Sequence, residues 1–249
     1  PLIIDNTFAT PVNCRPFEWG ADIVVHSTTK YMDGHGAAVG GCIVDSGRFD
    51  WTRYPDKFPG LCTPDESYHG VTYTRDFGRA AYITKARVQL MRDLGTTPQP
   101  IAMYILNLGL ETLALRMERH FENGLAVAKY LEGHDKICWV NNPALPSSDQ
   151  YEKCKKYLGG KSCGVVSFGV KGGRDAAMRL MDHLKLAQIV VHVADARTSV
   201  LHPASTTHRQ LTDQQLVDAG IGPDLIRMSV GIENIDDILA DLEQALSAV

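Results

Sequence analysis

Short apolar runs closed by polar residues alternate along the chain with stretches whose apolar residues recur every three or four positions. The first run, Pro1-Leu2-Ile3-Ile4, ends on Asp5, and a second spans Asp22–Val25 before His26-Ser27-Thr28-Thr29-Lys30. Both read as strands. The stretch between Asp5 and Ala21 exceeds the dozen or so residues that a parallel crossover needs. If the connection is a crossover, both strands point their carboxyl ends at one edge of a sheet, where ligands of open α/β sheets bind. A third strand, Val39–Val44, follows the glycine-rich Asp33-Gly34-His35-Gly36 turn. Residues 47–80 carry little periodicity and read as a long irregular segment, which inside a compact protein is usually functional. After Pro98 and Pro100, the residues Leu106, Leu110, Leu113, Met117, Phe121, Leu125, Ala128 and Leu131 recur at helical steps, with Gly133 as a stop. They predict one long helix able to link two domains.

Asn141-Asn142-Pro143-Ala144-Leu145-Pro146-Ser147-Ser148 is turn chemistry and divides the chain into residues 1–143 and 144–249. The second part reads as strand Val165–Val170, helix Asp175–Leu184, strand Ile189–Val193, helix Asp213–Ala219, strand Leu225–Val230 and helix Ile235–Ala248. Thr212 with Gln215 predicts a capping box, and Asn234 before Asp236 and Asp237 predicts a capped helix start. Alternation of strands and helices makes the fold class α/β.

Composition narrows the function classes. The 249 residues carry a net charge of −4, and 44% are hydrophobic. Such a balance leaves no basic footprint for nucleic acid. No apolar stretch approaches the length of a bilayer span. The six cysteines show no zinc spacing and, in so long a chain, read as reduced thiols of a cytoplasmic protein. No metal site is expected, because His202 and His208 lack a third ligand at sensible spacing. No Gly-x-Gly-x-x-Gly follows a strand, which disfavours a dehydrogenase.

Three charged residues could carry chemistry. Lys30, at the mouth of an apolar strand and beside hydroxyls, is either an exposed strand-end lysine or an amine tuned for carbonyl chemistry. Asp5 closes an apolar strand, where its carboxylate must find a partner. That partner is either the backbone of Asn6-Thr7 in an Asx-turn or a protonated ring nitrogen. Arg227 shares a strand face with Leu225 and Ser229, either facing solvent or poised for bidentate recognition of a carboxylate. The small polar groups of His202-Pro203-Ala204-Ser205-Thr206-Thr207-His208 could line a site or cap their own loop. An amine, a carboxylate and hydroxyls (Ser27, Thr29) at one sheet edge are what pyridoxal phosphate (PLP) requires.

Taken together, PLIIDNTFATP, ADIVVHSTTKY, LHPASTTH and LIRMSVGIENIDDILADLEQAL resemble the Cys/Met-metabolism family of PLP-dependent enzymes, in family order and across the whole chain. The resemblance implies the aspartate-aminotransferase-like fold type I. Residues 1–143 would be the C-terminal part of the large PLP-binding domain, and 144–249 the small α/β domain. Within that family VDSGRFDW, SYHGVTYTRDFG, AYITKARVQLMRDLG and GLETLALRMERH look most like O-acetylhomoserine sulfhydrylases. Members with γ-lyase or cystathionine-forming activity usually have a shorter connection here. The implied reaction is γ-replacement: O-acetyl-L-homoserine and sulfide give L-homocysteine and acetate. Methionine γ-lyase or cystathionine γ-synthase activity is the alternative.

By resemblance, Lys30 holds the cofactor and shuttles protons, Asp5 keeps its ring nitrogen protonated, Ser27 and Thr29 take the phosphate, and Arg227 clamps the substrate carboxylate. Relatives tend to carry Ser or Asn at His192 and Gly at Ala194; His192 receives no role. The family also has a portion before PLIIDNTF, with the glycine-containing phosphate loop, a ring-stacking tyrosine and an arm reaching the neighbouring subunit. The chain therefore reads as a fragment, expected to be ordered alongside that missing N-terminal portion and in a homotetramer. A catalytically silent folding or assembly half is the rival from another class.

Overall fold

The structure, a computed structural model, describes residues 1–249. Two sheets organise the chain. In the first, β1 (Ile3–Asp5) pairs in parallel with β2 (Ile23–Ser27), and β3 (Gly41–Asp45) returns antiparallel on the other side of β2. The crossover reading of the Asp5–Ala21 connection therefore holds, and Asp5 lies opposite Val25. Both outer strands are unpaired on one side, and Ile3, Ile43 and Val44 stay 51%, 44% and 42% exposed.

Two helices follow, α1 (Pro100–Glu111) and α2 (Leu113–Glu132). The single long helix expected from periodicity is thus broken at Thr112. No proline is responsible. Beside the break the backbone packs closely, and a Cβ on Gly109 would overlap the carbonyl oxygens of Met32 and Asp33. The break also leaves the Gly109 carbonyl free to accept from Arg116. The buried face of α2 carries Leu113, Met117, Val127, Ala128 and Leu131, but also Arg116, His120 and Asn123. That polar stripe was hidden in a pattern read for apolar residues alone.

The second sheet has the order β4 (Ile137–Asn141), β5 (Val165–Val170), β8 (Leu225–Ser229), β7 (Ser199–Leu201), β6 (Gln188–Ile189). Only β6 and β7 run parallel. Helices α3 (Tyr151–Leu158), α4 (Gly173–His183), α5 (Asp213–Asp218) and α6 (Ile235–Leu246) complete this part. Strand alternation turns Val166, Phe168, Ile226 and Met228 into one core with Val127 and Leu131 of α2, Leu180 of α4 and Leu242 of α6. Arg227, paired across from Ser167, projects from the opposite face. The capping box at Thr212 and Gln215 forms, and the Asn234 side chain accepts from the Asp236 amide.

Several expectations shift. Residues 47–80 are a chain of short helical turns around Trp51, Leu61 and Tyr73 rather than an irregular loop. The expected strand Ile189–Val193 shrinks to two residues, because the backbone beyond it bonds elsewhere: the Ala194 amide to Ser229 Oγ and the Ala196 amide to the Gly34 carbonyl. Strands β4 and β7, helix α3 and the helical run from Ala81 to Leu94 were not anticipated.

Entry to β6 rests on Asp241. Its buried carboxylate accepts from the amides of Lys185, Leu186 and Ala187 at 2.8–3.0 Å. Asp241→Ala strands these donors and is expected to cost about 3 kcal/mol, since charge-assisted bonds and unsatisfied buried groups each count for roughly 1–3. A urea midpoint unchanged from wild type would contradict this.

Candidate active site

At the carboxyl edge of β1 and β2 the chain turns three times within a few residues. The Asn6 amide donates to the Val25 carbonyl, and the Ser27 amide to Thr7 Oγ1 at 2.8 Å, so both strand ends are laced together. Asp5 Oδ1 accepts from the Thr7 amide at 2.9 Å. This is the Asx-turn foreseen as one of its alternatives, and it leaves Oδ2 free. The Thr7 hydroxyl and amide hold the Asp5 carboxyl below its ordinary pKa, and the nearby His26 works in the same direction. Asp5 is therefore an anion at neutral pH, with one oxygen tied and one available.

Lys30 sits in the turn that follows β2. Its amide donates to the Ser27 carbonyl and its carbonyl accepts from the Gly34 amide at 2.8 Å. Neighbours anchor the turn in the core. Tyr31 is fully buried among Met32, Leu113, Met117 and Ala194, and its hydroxyl accepts from the Gly164 amide at 2.9 Å. Burial lowers the Lys30 amine pKa, and the positive charge of Arg227 lowers it further. Arg227 reaches this point from β8. Its one hydrogen bond, from Nη2 to the Val191 carbonyl at 2.8 Å, leaves most of its fork uncommitted. Arg227, far from Lys30 in sequence, thus lies near enough for its charge to act on the amine.

The two hydroxyls differ. The Ser27 amide is engaged, but its hydroxyl stays uncommitted. Thr29 Oγ1 accepts from the Gly40 amide at 3.0 Å and donates to the Gly40 carbonyl at 3.2 Å. Its single proton is therefore spent on the backbone, and a phosphate contact from Thr29 requires an exchange of partner.

Sequence reasoning overlooked the second layer. His192 stands against Gly36, where a Cβ would come within 3.2 Å of the imidazole, and its Nε2 is buried without a partner. Burial, and next the charge of Lys30, keep this imidazole below its usual pKa. Asp195, opposed by burial, is nevertheless held ionised by Arg197, whose Nε and Nη2 donate to it at 3.1 Å. Ala194 adopts φ +68°, a left-handed conformation that suits glycine, at the position where relatives were expected to carry one. The polar stripe on α2 serves the same neighbourhood: His120 bonds the Val230 carbonyl and Asn123 those of Gly231 and Glu233. Polar residues at 116, 120 and 123, at helical spacing on a core-facing helix, were the signal that could have revealed it. His202 instead bonds Ser205 and the Pro223 carbonyl, so its loop caps itself.

Burial holds the His120 imidazole neutral down to about 4 against the opposing pull of its Val230 bond. On unfolding it returns to the ordinary value near 6.5. Between pH 6.5 and about 4 the unfolded chain then binds a proton that the folded chain refuses. Stability is full above pH 6.5 and falls on acidification, by roughly 3 kcal/mol across that window. Urea midpoints measured against pH should show a shallower acid limb in His120→Asn; an identical limb would remove His120 from the account.

Comparison with known proteins bears on the whole chain. The family described as Cys/Met metabolism PLP-dependent enzyme matches residues 1–247. A homocysteine synthase of Schizosaccharomyces pombe is 49% identical over 247 residues, covering 99% of this chain and 58% of that protein. O-acetyl-L-homoserine sulfhydrylase 1 of Thermus thermophilus is 44% identical, with 99% and 58% covered. A crystal structure from Campylobacter jejuni, described as an O-acetylhomoserine (thiol)-lyase with a pyridoxyl-lysine phosphate, superposes with a TM-score of 0.89. It is 38% identical, and the match covers 98% of this chain and 58% of that one. The chain therefore spans a little under three-fifths of the length of the relatives it matches.

Proposed function

The chain belongs to the Cys/Met-metabolism family of PLP-dependent enzymes, and from that membership we propose that it carries the lysine-bearing part of an O-acetylhomoserine sulfhydrylase. The reaction is replacement of the γ-acetoxy group of O-acetyl-L-homoserine by sulfide, giving L-homocysteine and acetate. The fold is the α/β fold type I of these enzymes. Because β4 (Ile137–Asn141) pairs into the second sheet, the small domain is taken to begin ahead of β4 rather than at residue 144, and the residues before it form the cofactor-carrying part. The observation that carries the reading is that Asp5 and Lys30 lie at the carboxyl ends of two paired parallel strands, with the charge of Arg227 near enough to act on the Lys30 amine.

The donor set fits the cofactor. Bound PLP supplies an electron sink that stabilises negative charge on the substrate's carbon skeleton. Lys30, with its pKa lowered, is the amine that attaches the cofactor and later moves protons between substrate carbons. Asp5 Oδ2 accepts from the ring N–H and keeps it protonated, while Oδ1 stays on Thr7. The Ser27 hydroxyl donates to phosphate, and Thr29 joins it by releasing Gly40. Arg227 takes the substrate carboxylate through the arms that Val191 leaves free.

The relatives extend beyond the aligned region, and the working assembly includes the counterpart of that extra length. The unpaired edges of β1 and β3, with Ile3, Ile43 and Val44 exposed, support this. The assembly is a homo-oligomer, a tetramer by family habit, in the cytoplasm; no helix of the chain is long and apolar enough to cross a membrane.

The test supplies O-acetyl-L-homoserine with sulfide, with cysteine or with no acceptor, and follows acetate, homocysteine, cystathionine and 2-oxobutanoate. Homocysteine and acetate formed together only with sulfide are expected. Oxo-acid release without an acceptor, or cystathionine as the main product, would replace this reading with a lyase or a cystathionine synthase.

A further inference from the structure

We infer that Arg116 is the positioning residue that fixes the turn carrying Lys30, an inference that rests on the function proposed above. Arg116 projects from the first turn of α2 and is only 6% exposed. Its Nη1 donates to the Tyr31 carbonyl at 2.6 Å, and its Nη2 to the Met32 carbonyl at 3.4 Å and the Gly109 carbonyl at 2.6 Å. Nε donates to Thr112 Oγ1 at 3.1 Å. All four acceptors are neutral. Burial lowers the guanidinium's pKa, and Asp33, the acid that opposes this, forms no bond with it.

Two of those carbonyls belong to the residues directly after Lys30. The turn closes through the Gly34 amide on the Lys30 carbonyl, and a Cβ on Gly34 would overlap the Arg116 guanidinium. Residues 30–34 therefore wrap around one planar cation. A guanidinium can hold several carbonyls at fixed angles, whereas an ammonium offers a point charge without a fork. No hydrogen bond holds the Lys30 side chain, so the backbone of this turn sets where its amine lies. A misplacement of about 1 Å can cost roughly 10²-fold in rate. The same guanidinium also patches the α1–α2 break through Gly109 and Thr112, and a purely structural role would act there alone.

The two roles separate experimentally. Arg116→Met removes the fork, and Arg116→Lys keeps only the charge. Gly34→Ala disturbs the turn itself, through a Cβ against the guanidinium and through strain at φ +78°, and Thr112→Val removes only the guanidinium's bond at the helix break. One readout needs no cofactor: the pH midpoint for reductive methylation of the Lys30 amine by formaldehyde, read by mass spectrometry in protein whose fold is checked by circular dichroism. The other is kcat and KM of the PLP-loaded enzyme. In Arg116→Met and Gly34→Ala the methylation midpoint should rise toward the ordinary lysine value. Their kcat should fall about 10²-fold, with KM within about threefold. Arg116→Lys should be intermediate and Thr112→Val close to wild type. An unchanged midpoint and kcat in folded Arg116→Met or Gly34→Ala would overturn the inference, as would Thr112→Val reproducing their losses. If Arg116→Met fails to fold, Arg116→Lys decides in the same way, since an ammonium cannot reproduce the fork. Midpoint shifts in the variants, together with wild-type protein that gains no PLP link, would refute the proposed function and leave the positioning role standing.

Discussion

Lys30→Ala is expected to abolish covalent PLP attachment and to lower sulfide-dependent acetate release by roughly 10³-fold or more. Proton transfer by a positioned group alone contributes about 10²–10⁴-fold, and the covalent attachment is lost as well. The fold should survive. What ties the turn together is the Lys30 backbone, through the Ser27 carbonyl and the Gly34 amide, along with Tyr31 in the core; the ammonium makes no hydrogen bond. Removing a partly buried amine that Arg227 repels costs little stability. Absorbance near the visible edge, borohydride reduction and acetate release would all be measured on folded protein. Retention of both the reducible link and turnover would exclude Lys30 as the reacting amine.

Asp5→Asn is the second large effect. The substitution keeps an oxygen that can accept from the Thr7 amide, so the Asx-turn at the end of β1 stays closed. It removes the charge and puts an NH2 donor where the free oxygen was. The native carboxyl is held ionised first by Thr7, and its free oxygen is what can keep a ring nitrogen protonated. Loss of one preorganised partner for developing charge typically costs 10²–10³-fold, and a fall of about that size in kcat is expected, with stability nearly unchanged. An altered cofactor absorption spectrum should accompany it. Turnover within about threefold of wild type would mean that the Asx-turn is the whole role of Asp5.

Much of the placement of the candidate residues was legible because they lie where the strand signal is strongest. Asp5 and Lys30 close apolar runs, the crossover length makes those runs parallel, and alternation along Leu225–Ser229 turns Arg227 away from the helix-covered face. What stayed hidden depends on tertiary contacts that leave no local period. The break at Thr112 lies beside Gly109, which packs against the Met32 and Asp33 carbonyls across a long stretch of sequence. Strand β6 is short because Ala194 and Ala196 bond to Ser229 and Gly34 instead of continuing a ladder. Arg116 goes unremarked in a helix read by its leucines, although its spacing to His120 and Asn123 marks a polar stripe on the buried face. The alternatives left open for Asp5 were a matter of hydrogen-bond partners, which only a three-dimensional arrangement assigns.

The central claim is that Lys30 is the residue to which the cofactor attaches. Protein saturated with PLP, reduced with borohydride, digested and mapped by mass spectrometry tests it most directly. The account predicts one phosphopyridoxyl group, on the lysine of the peptide containing His26-Ser27-Thr28-Thr29-Lys30. A stoichiometric label on any other lysine, or none on Lys30, would contradict it.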